Sequence, residues 1–470
     1  MPKTMKLSAK PLPIILVRGW GGPTVEAEQR LTYQGFNVGT VYPHKKGPNY
    51  IYEGMILRFL KDGMRPYLDA TNVIRYSPEK YVVEDPDNPL VKGIRGKRNS
   101  LWVYRYYDFQ KRDLPFYGEQ LAEVIGIVKR LTGAPKVNII AHSMGGLIAR
   151  WTLQKVYKTK AKSHAEVNKV VTLGTPHGGI NFAWLAQEFP LLPETEYFDR
   201  GWLKKNLNGQ NVSKSFDPEA MLCVVGTDHW SYEIWLSRAL AGKKSDGLVK
   251  QVNAYVEGAY KAYVHKCHGG NDSLVTSREA YELATRFFFG DKRVTITQNR
   301  ARVVGKYERW WQGRPEYFVG FSLKPRGCDF FLNRQSKEAE NCFGAFRSNK
   351  IGESLTAYRG ILDTSRIKSR AQDDIAFRFD LYVGERDLKA LHGFSDTIIL
   401  EKNALFRYAM DAGVLEFYPE GRTVGEEPLT LQAKGGRGVW TFGPFEVSYP
   451  TYEAQFEVTV EDWKPSVEVS

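Results

Sequence analysis

The stretch V-N-I-I-A-H-S-M-G-G, residues 137–146, decides the fold of the first part of this chain. Val137 to Ala141 form a largely apolar run that predicts a buried strand, and a helix is expected from Gly145 onward. Ser143 lies in the tight turn between them, where small flanking residues let strand and helix pass close together. Such a turn presents the serine hydroxyl at a helix N-terminus, where the backbone N–H of Met144 can stabilise negative charge.

Strands alternate with helices on both sides of this turn. The other predicted strands are Pro13–Val17, Leu101–Tyr107, Lys169–Leu173, Met221–Val225 and Ala259–Val264. Alternation of buried strands with helices is typical of a mostly parallel sheet that is covered on both faces. Residues 43–98 interrupt the pattern and are expected to form an irregular insertion rather than part of the framework.

The pattern changes near Gly290. In the second part, Ile375, Phe377 and Phe379 alternate with polar or small residues, which is typical of half-buried antiparallel strands. We therefore expect an α/β domain over residues 1–290 and a C-terminal all-β domain, a sandwich or barrel, over residues 291–470.

Composition and charge narrow the class of protein. The 470 residues are 42% hydrophobic and 25% charged, which excludes a disordered or collagen-like chain. No apolar run reaches the roughly 18 residues of a membrane-spanning helix. The N-terminus lacks the apolar segment of a secretory signal, which favours a cytoplasmic location, and a mature form whose signal has been removed is the alternative. Four cysteines are too few to staple the fold, and whether Cys328 and Cys342 pair stays open.

The net charge of +13 belongs to the first part of the chain. Residues 1–290 hold 40 Lys and Arg against 27 Asp and Glu, whereas residues 291–470 hold 26 of each. Basic clusters at Lys92–Arg98 and Lys155–Lys162 are compatible with peripheral contact to an anionic membrane or lipid aggregate. The alternative for each cluster is an ordinary solvated face, and no nucleic acid is expected as a partner.

Three segments, in this order along the chain, resemble the lipases of the α/β-hydrolase superfamily. They read R-G-W-G-G at 18–22, A-H-S-M-G-G at 141–146 and G-T-P-H-G-G at 174–179. The chain is thereby similar to bacterial triacylglycerol lipases, and Y-Y-D-F-Q at 106–110 is similar to a segment of lecithin:cholesterol acyltransferase-like lipases. The resemblance covers residues 11–290 and implies an α/β-hydrolase fold with a cap insertion.

A serine becomes nucleophilic when an imidazole takes its proton and an acid orients that imidazole. The chain has eight histidines. His268 is the candidate base, because it lies in a glycine-rich loop after the last predicted strand of the fold, and His265 is the alternative. His142 sits beside the nucleophile, where it cannot turn back to act as the base, and His177 is expected to be structural or to line the pocket.

The resemblance also points to the acid. The segment S-D-G-L-V at 245–249 matches the segment that carries the acid in many lipases, so Asp246 is the candidate. Asp228 is the rival, because it directly follows the strand Met221–Val225.

The turn after the first strand is the expected source of a second oxyanion donor. The backbone N–H of Trp20 is the candidate, next to that of Met144. Arg18 stands where the lipases usually have a histidine, and a salt bridge to a nearby acid would account for it.

Large apolar side chains outside the framework, over residues 180–219 and 229–245, predict a cap with a hydrophobic underside suited to acyl chains. The alternative is a satellite core. The candidates for the lining are His177, Phe182, Trp184 and Phe189.

These features predict a serine carboxylic ester hydrolase that acts on lipid esters, a lipase or phospholipase, through an acyl-enzyme. No cofactor is expected, and no residue set has the spacing of a metal site. A small-ester or thioester hydrolase and an acyltransferase are alternatives within the same chemistry. A non-catalytic lipid-binding protein with the same fold is the alternative from another class.

Overall fold

The structure is a computed structural model that divides into two compact units, Lys10–Ala284 and Thr285–Ser470. It describes residues 11–20, 53–77, 79, 82–180, 193–232, 241–270, 272–304, 315–347, 350–351, 354–366, 374–387, 395–410, 412–419, 427–436 and 438–463.

A parallel sheet forms the centre of the first unit. The strands in the described residues of this unit are β1 Ile14–Val17, β2 Leu68–Asp69, β3 Ile74–Tyr76, β4 Val82–Glu84, β5 Ser100–Tyr104, β6 Val137–His142, β7 Val167–Leu173, β8 Met221–Gly226 and β9 Tyr260–Val264. Seven of these described strands form the sheet in the order β2-β5-β1-β6-β7-β8-β9, and every neighbouring pair is parallel, as predicted. Strands β3 and β4 form a separate antiparallel pair.

Helices connect these strands. The α-helices in the described parts of the chain are α1 Glu53–Leu60, α2 Pro89–Ile94, α3 Leu114–Thr132, α4 Met144–Trp151, α5 Lys160–Glu166, α6 Arg200–Leu207 and α7 Arg278–Phe289. Helix α3 begins at Asp113, whose side chain accepts from the N–H of Phe116 at 3.0 Å, and it ends at Gly133 with φ 63°. An aspartate cap and a left-handed glycine are the terminal signals that the sequence carries at these two positions. None of the helices in the described parts of the chain is long and apolar enough to span a membrane.

Two local features of the structure go beyond the sequence prediction. The described part of residues 43–98 is not only an insertion, because β2 pairs in parallel with β5 and extends the central sheet; a strand of two residues is too short to show a periodic pattern. The helix expected from Gly145 onward extends to Tyr157, but beyond Trp151 it continues as a wider π-helical turn, Thr152–Tyr157. The buried Thr152 hydroxyl lies 3.2 Å from the Ile148 carbonyl oxygen and 2.8 Å from that of Gly118, a contact type that bends helices.

Several apolar side chains in the described part of the first predicted cap segment, residues 193–219, pack into the core of this unit. Tyr197 and Phe198 are buried in the same hydrophobic cluster as the central strands. Trp202 stacks on Trp151 with ring centroids 5.8 Å apart. These aromatic residues thus belong to the core, whereas residues 181–192 of the predicted cap lie outside the described residues. Sequence could not separate the two roles, because a core and a cap both need large apolar side chains.

The described residues of the second unit form two antiparallel sheets. Their strands are β10 Lys292–Val303, β11 Glu316–Pro325, β12 Phe343–Phe346, β13 Lys350–Ile351, β14 Leu355–Leu362, β15 Asp374–Asp387, β16 Ser395–Ala409, β17 Val414–Pro419, β18 Leu429–Gln432, β19 Lys434–Gly436, β20 Val439–Tyr449 and β21 Tyr452–Asp462. The strand orders are β13-β10-β21-β20-β19, with β14 also on β10, and β12-β11-β15-β16-β17-β18.

Aromatic side chains join the two sheets face to face. Phe456 of one sheet meets Phe321 and Phe379 of the other at centroid distances of 6.2 and 5.9 Å. This packing is that of a sandwich. Cys328 and Cys342 are both free.

Two glycines of helix α3 provide a test of how this helix packs on Trp151. A methyl group at Gly126 would meet only Arg130 Nη1 at 3.7 Å, whereas one at Gly118 would come within 2.5 Å of Trp151 Cδ1. We predict that Gly126→Ala raises the free energy of unfolding by about 0.5–1 kcal/mol through better helix propensity. Gly118→Ala lowers it by about 1–3 kcal/mol through overpacking. Urea unfolding of both variants measures this difference, and equal effects would contradict the packing of α3 on Trp151.

Candidate active site

The turn between β6 and α4 holds Ser143 in a strained backbone conformation. Its φ is 51° and its ψ is −123°, a region that residues with side chains rarely adopt. The Ser143 N–H donates to the Leu173 carbonyl at 3.0 Å, which ties the turn to β7. A methyl group at Gly145 would lie 2.5 Å from the Arg18 carbonyl oxygen. Only glycine at this position lets α4 pass so close to the end of β1.

His268 and Asp246 complete a hydrogen-bonded chain to Ser143. The distance from His268 Nε2 to Ser143 Oγ is 3.0 Å, and from His268 Nδ1 to Asp246 Oδ2 it is 2.8 Å. All three residues are buried, with exposed fractions of 6%, 4% and 1% for Ser143, His268 and Asp246. Because a carboxylate only accepts, Nδ1 carries the imidazole proton and Nε2 is left to accept from the serine hydroxyl.

The loop around Asp246 fixes its carboxylate. Asp246 Oδ1 accepts from the backbone N–H of Val249 at 2.7 Å and of Leu248 at 3.1 Å. The His268 N–H donates to the Asp246 carbonyl at 2.8 Å, so the loops that follow β8 and β9 are joined by backbone as well as by side chains.

The alternative residues make other contacts. Asp228 accepts from the Ser231 hydroxyl at 2.5 Å and from the Trp230 N–H at 2.9 Å, so its carboxylate closes a local turn. His265 Nδ1 lies 3.1 Å from Thr227 Oγ1. The structure therefore brings together the three leading candidates, Ser143, His268 and Asp246. The rivals Asp228 and His265 bond to other side chains.

The turn after β1 lies directly against the serine. A methyl group at Gly19 would come within 2.8 Å of Ser143 Cβ and 2.9 Å of His142 Nδ1. This contact puts the neighbouring Trp20, the predicted donor, at the same edge as the N-terminus of α4, where Met144 is. Arg18 is buried, with its guanidinium carbon 4.7 Å from the centroid of the Tyr107 ring. Arg18, which stands where the lipases usually have a histidine, thus makes a cation–π contact with Tyr107.

Sequence reasoning missed a role for His142. Its Nε2 lies 2.9 Å from the His268 carbonyl oxygen, and the two rings are 4.9 Å apart. A carbonyl oxygen only accepts, so His142 donates from Nε2 and holds the backbone of the loop that carries His268. Burial, together with the nearby His268, keeps the pKa of His142 well below its ordinary value of 6.5. The A-H-S sequence was a signal that this histidine touches the site.

Of the two roles predicted for His177, structural support and lining of the pocket, its contacts favour structural support. It is fully buried, its Nε2 lies 3.0 Å from Thr172 Oγ1 in β7, and its carbonyl accepts from Arg150 at 3.2 Å. Burial lowers the pKa of His177 well below 6.5. Phe182, Trp184 and Phe189, the other predicted lining residues, lie outside the described residues.

One described residue of the second predicted cap segment reaches the site. The Tyr232 ring stands edge-on to the His268 ring, with centroids 5.8 Å apart. Residues 233–240 of that segment lie outside the described residues. Cys267 is adjacent to His268, but burial raises the pKa of its thiol to about 12, so it stays protonated and does not compete as a nucleophile.

Known proteins match the part of the chain around Ser143. Residues 107–190 match the family described as Putative serine esterase (DUF676). This segment is similar to serine esterases. Triacylglycerol lipases of Pseudarthrobacter phenanthrenivorans and Burkholderia plantarii are each 39% identical over 90 residues, which is 19% of this chain and 26% and 23% of those lipases. The match thus spans about a quarter of these relatives' length, and the family match ends before Asp246 and His268.

Solved structures give more distant similarity. A gene product of Listeria innocua shares 16% identity over 59% of this chain and 94% of its own, with a TM-score of 0.36. The lipase BlEst2 of Bacillus licheniformis in its propeptide form shares 12% identity over 87% of this chain and 96% of its own, with a TM-score of 0.37.

Two of the buried histidines, His142 and His177, predict that the fold is sensitive to acid because burial lowers their pKa. His142 and His177 remain neutral when folded, whereas the unfolded chain binds a proton at each below about pH 6.5. The free energy of unfolding is therefore highest above this pH and falls as the pH drops, by up to about 1.4 kcal/mol per pH unit for each histidine. Urea unfolding at pH 8 and pH 5.5 measures the loss. His177→Gln is expected to lose clearly less over this range than the wild type, and an unchanged loss would contradict the assignment.

Proposed function

We propose that this protein is a serine carboxylic ester hydrolase that acts on lipid esters through an acyl-enzyme on Ser143. The observation that carries the proposal is the buried chain of hydrogen bonds from Asp246 through His268 to the Ser143 hydroxyl. A serine activated in this way attacks carbonyl carbons, and no cofactor is needed for that chemistry.

The first half of the reaction transfers the acyl group to the enzyme. Ser143 Oγ forms a bond to the ester carbonyl carbon while His268 Nε2 takes the hydroxyl proton, and Asp246 stabilises the imidazolium. The carbonyl oxygen becomes an oxyanion that accepts from the backbone N–H groups of Met144 and Trp20. The tetrahedral intermediate collapses when the bond to the alcohol oxygen breaks, and His268 returns the proton to that oxygen.

The second half repeats these steps with water. His268 takes a proton from a water molecule whose oxygen attacks the acyl-enzyme carbonyl. The bond to Ser143 Oγ breaks, the serine recovers the proton, and a carboxylic acid leaves. Neutral His142 favours this cycle, because a second positive charge beside His268 would oppose formation of the imidazolium.

Two observations favour lipid esters. The relatives that share 39% identity around the nucleophile are triacylglycerol lipases. Trp230 has 69% of its surface exposed and is two residues from Tyr232, which packs on His268. A large exposed indole near the reacting groups suits contact with acyl chains or a lipid surface.

Replacement of the nucleophile tests the proposal. We predict that Ser143→Ala lowers hydrolysis of p-nitrophenyl esters by about 10⁴-fold or more, because the three groups act as a unit. Esters with two to sixteen acyl carbons, assayed beside a triacylglycerol emulsion, report the preferred chain length. Activity of Ser143→Ala within tenfold of the wild type would exclude Ser143 as the nucleophile, and a preference for acetate esters would exclude lipid esters.

A matched pair of aspartate variants tests the acid. Asp246→Asn is expected to lower kcat by about 10³- to 10⁴-fold, because an amide no longer fixes the imidazole tautomer that leaves Nε2 free. Asp228→Asn removes a buried carboxylate of the same size that closes only its own turn, and it is expected to leave kcat within about threefold of the wild type. A larger loss in Asp228→Asn would show that the acid lies at the end of β8.

A further inference from the structure

The peptide that joins Gly19 to Trp20 is held by its carbonyl. The buried Tyr106 hydroxyl donates to Gly19 O at 2.7 Å, and Arg18 Nε donates to the same oxygen at 3.2 Å. Tyr106 comes from the short 3₁₀ helix that follows β5, 87 residues away in sequence. Two donors from different directions fix the orientation of this one carbonyl group.

A planar trans peptide points its N–H away from its C=O. The orientation of Gly19 O therefore also sets the direction of the Trp20 N–H. The same peptide begins at Gly19, whose α-carbon lies against Ser143 and His142. Rotation of the peptide away from Tyr106 would turn the Trp20 donor out of the position that an oxyanion on Ser143 needs.

The other end of the peptide is held by the Trp20 side chain. Its indole Nε1 donates to Glu194 Oε2 at 3.0 Å, and the Tyr117 hydroxyl donates to Glu194 Oε1 at 2.9 Å. Glu194 has 1% of its surface exposed, and Arg112 Nε lies 3.5 Å from its carboxylate and balances the charge. A buried carboxylate with these partners is a rigid anchor.

These two attachments are themselves connected. The Tyr106 and Tyr117 rings pack with centroids 4.8 Å apart. A continuous series of contacts thus connects Gly19 O with Tyr106, Tyr117, Glu194 and the Trp20 indole, so it begins and ends at the same peptide. We propose that Tyr106 and Glu194 are positioning residues that aim the Trp20 N–H at the oxyanion, an inference that rests on the proposed hydrolase function.

The proposal concerns the transition state alone. The negative oxygen exists only in the tetrahedral intermediate, so a misaimed donor lowers kcat and leaves KM nearly unchanged. Loss of a whole oxyanion donor typically lowers kcat by about 10²- to 10³-fold. A donor that is present but loosely held should cost a smaller factor.

The test compares Tyr106→Phe with Tyr104→Phe. Tyr104 is equally buried in the same aromatic cluster, and its hydroxyl donates at 2.6 Å to the Tyr117 carbonyl rather than to Gly19. Each variant loses one buried hydroxyl-to-carbonyl bond. With p-nitrophenyl butyrate, Tyr106→Phe is expected to lower kcat by about tenfold or more with KM within twofold, while Tyr104→Phe stays within twofold in both.

Glu194→Gln is the second variant, since it replaces the anchor with a side chain of the same size and no charge. We expect it to lower kcat by about threefold or more with KM within twofold. Inhibition by a short alkyl trifluoromethyl ketone, which adds Ser143 Oγ to its carbonyl and leaves an oxyanion, adds a readout that general destabilisation does not move. Its Ki is expected to rise in Tyr106→Phe and Glu194→Gln by about the factor lost in kcat/KM.

Three results would overturn the inference. The first is kcat and Ki within twofold of the wild type in both Tyr106→Phe and Glu194→Gln, and the second is an equal loss in Tyr104→Phe. If Tyr106→Phe folds poorly, kcat and Ki of Glu194→Gln decide by the same twofold criterion. The third is a wild type with no turnover of any ester, which removes the proposed function itself and is distinct from an active wild type whose variants are unaffected.

Discussion

The backbone of Ser143 is held in a conformation that costs about 1–3 kcal/mol in an unconstrained chain. Its surroundings impose it: β6 leads into the turn, α4 leaves it, and Gly145 lets α4 pass against the carbonyls at the end of β1. Burial of the apolar strands on both sides offsets the strain. The direction in which this turn points the hydroxyl sets where every other group of the site has to be.

A parallel sheet supplies those other groups at one edge. Ser143 follows β6, Asp246 lies in the connection after β8, and His268 follows β9, so each side chain leaves from beyond the carboxyl end of a strand. Ligand and active sites of open α/β sheets lie at this edge because the loops converge there. Polar contacts then fix each group: backbone N–H groups hold the Asp246 carboxylate, and His142 holds the His268 carbonyl.

Local sequence predicted the framework well and the supporting contacts poorly. The turn at Ser143 and the ends of α3 carry their signals within a few residues, so the strand, the helix and the caps could be placed from sequence. Strand β2 was not predicted, because a strand of two residues shows no periodicity in the sequence. Tyr197 and Phe198 fall within the predicted cap segment although they are buried with the central strands, because apolar composition is the same in a cap and in a core.

The site shows the same division. Ser143, Asp246 and His268 stand in short motifs or next to glycines, and the structure brings these three together. Tyr106 and Glu194 contact the Gly19–Trp20 turn from 87 and 174 positions away in the sequence, so no local sequence pattern predicts these contacts. Whether Ser143 is an activated nucleophile is tested most directly by fluorophosphonate labelling of the folded protein, followed by intact mass and peptide mapping. The account predicts one adduct per chain, on Ser143; no adduct, or one on another residue, would contradict it.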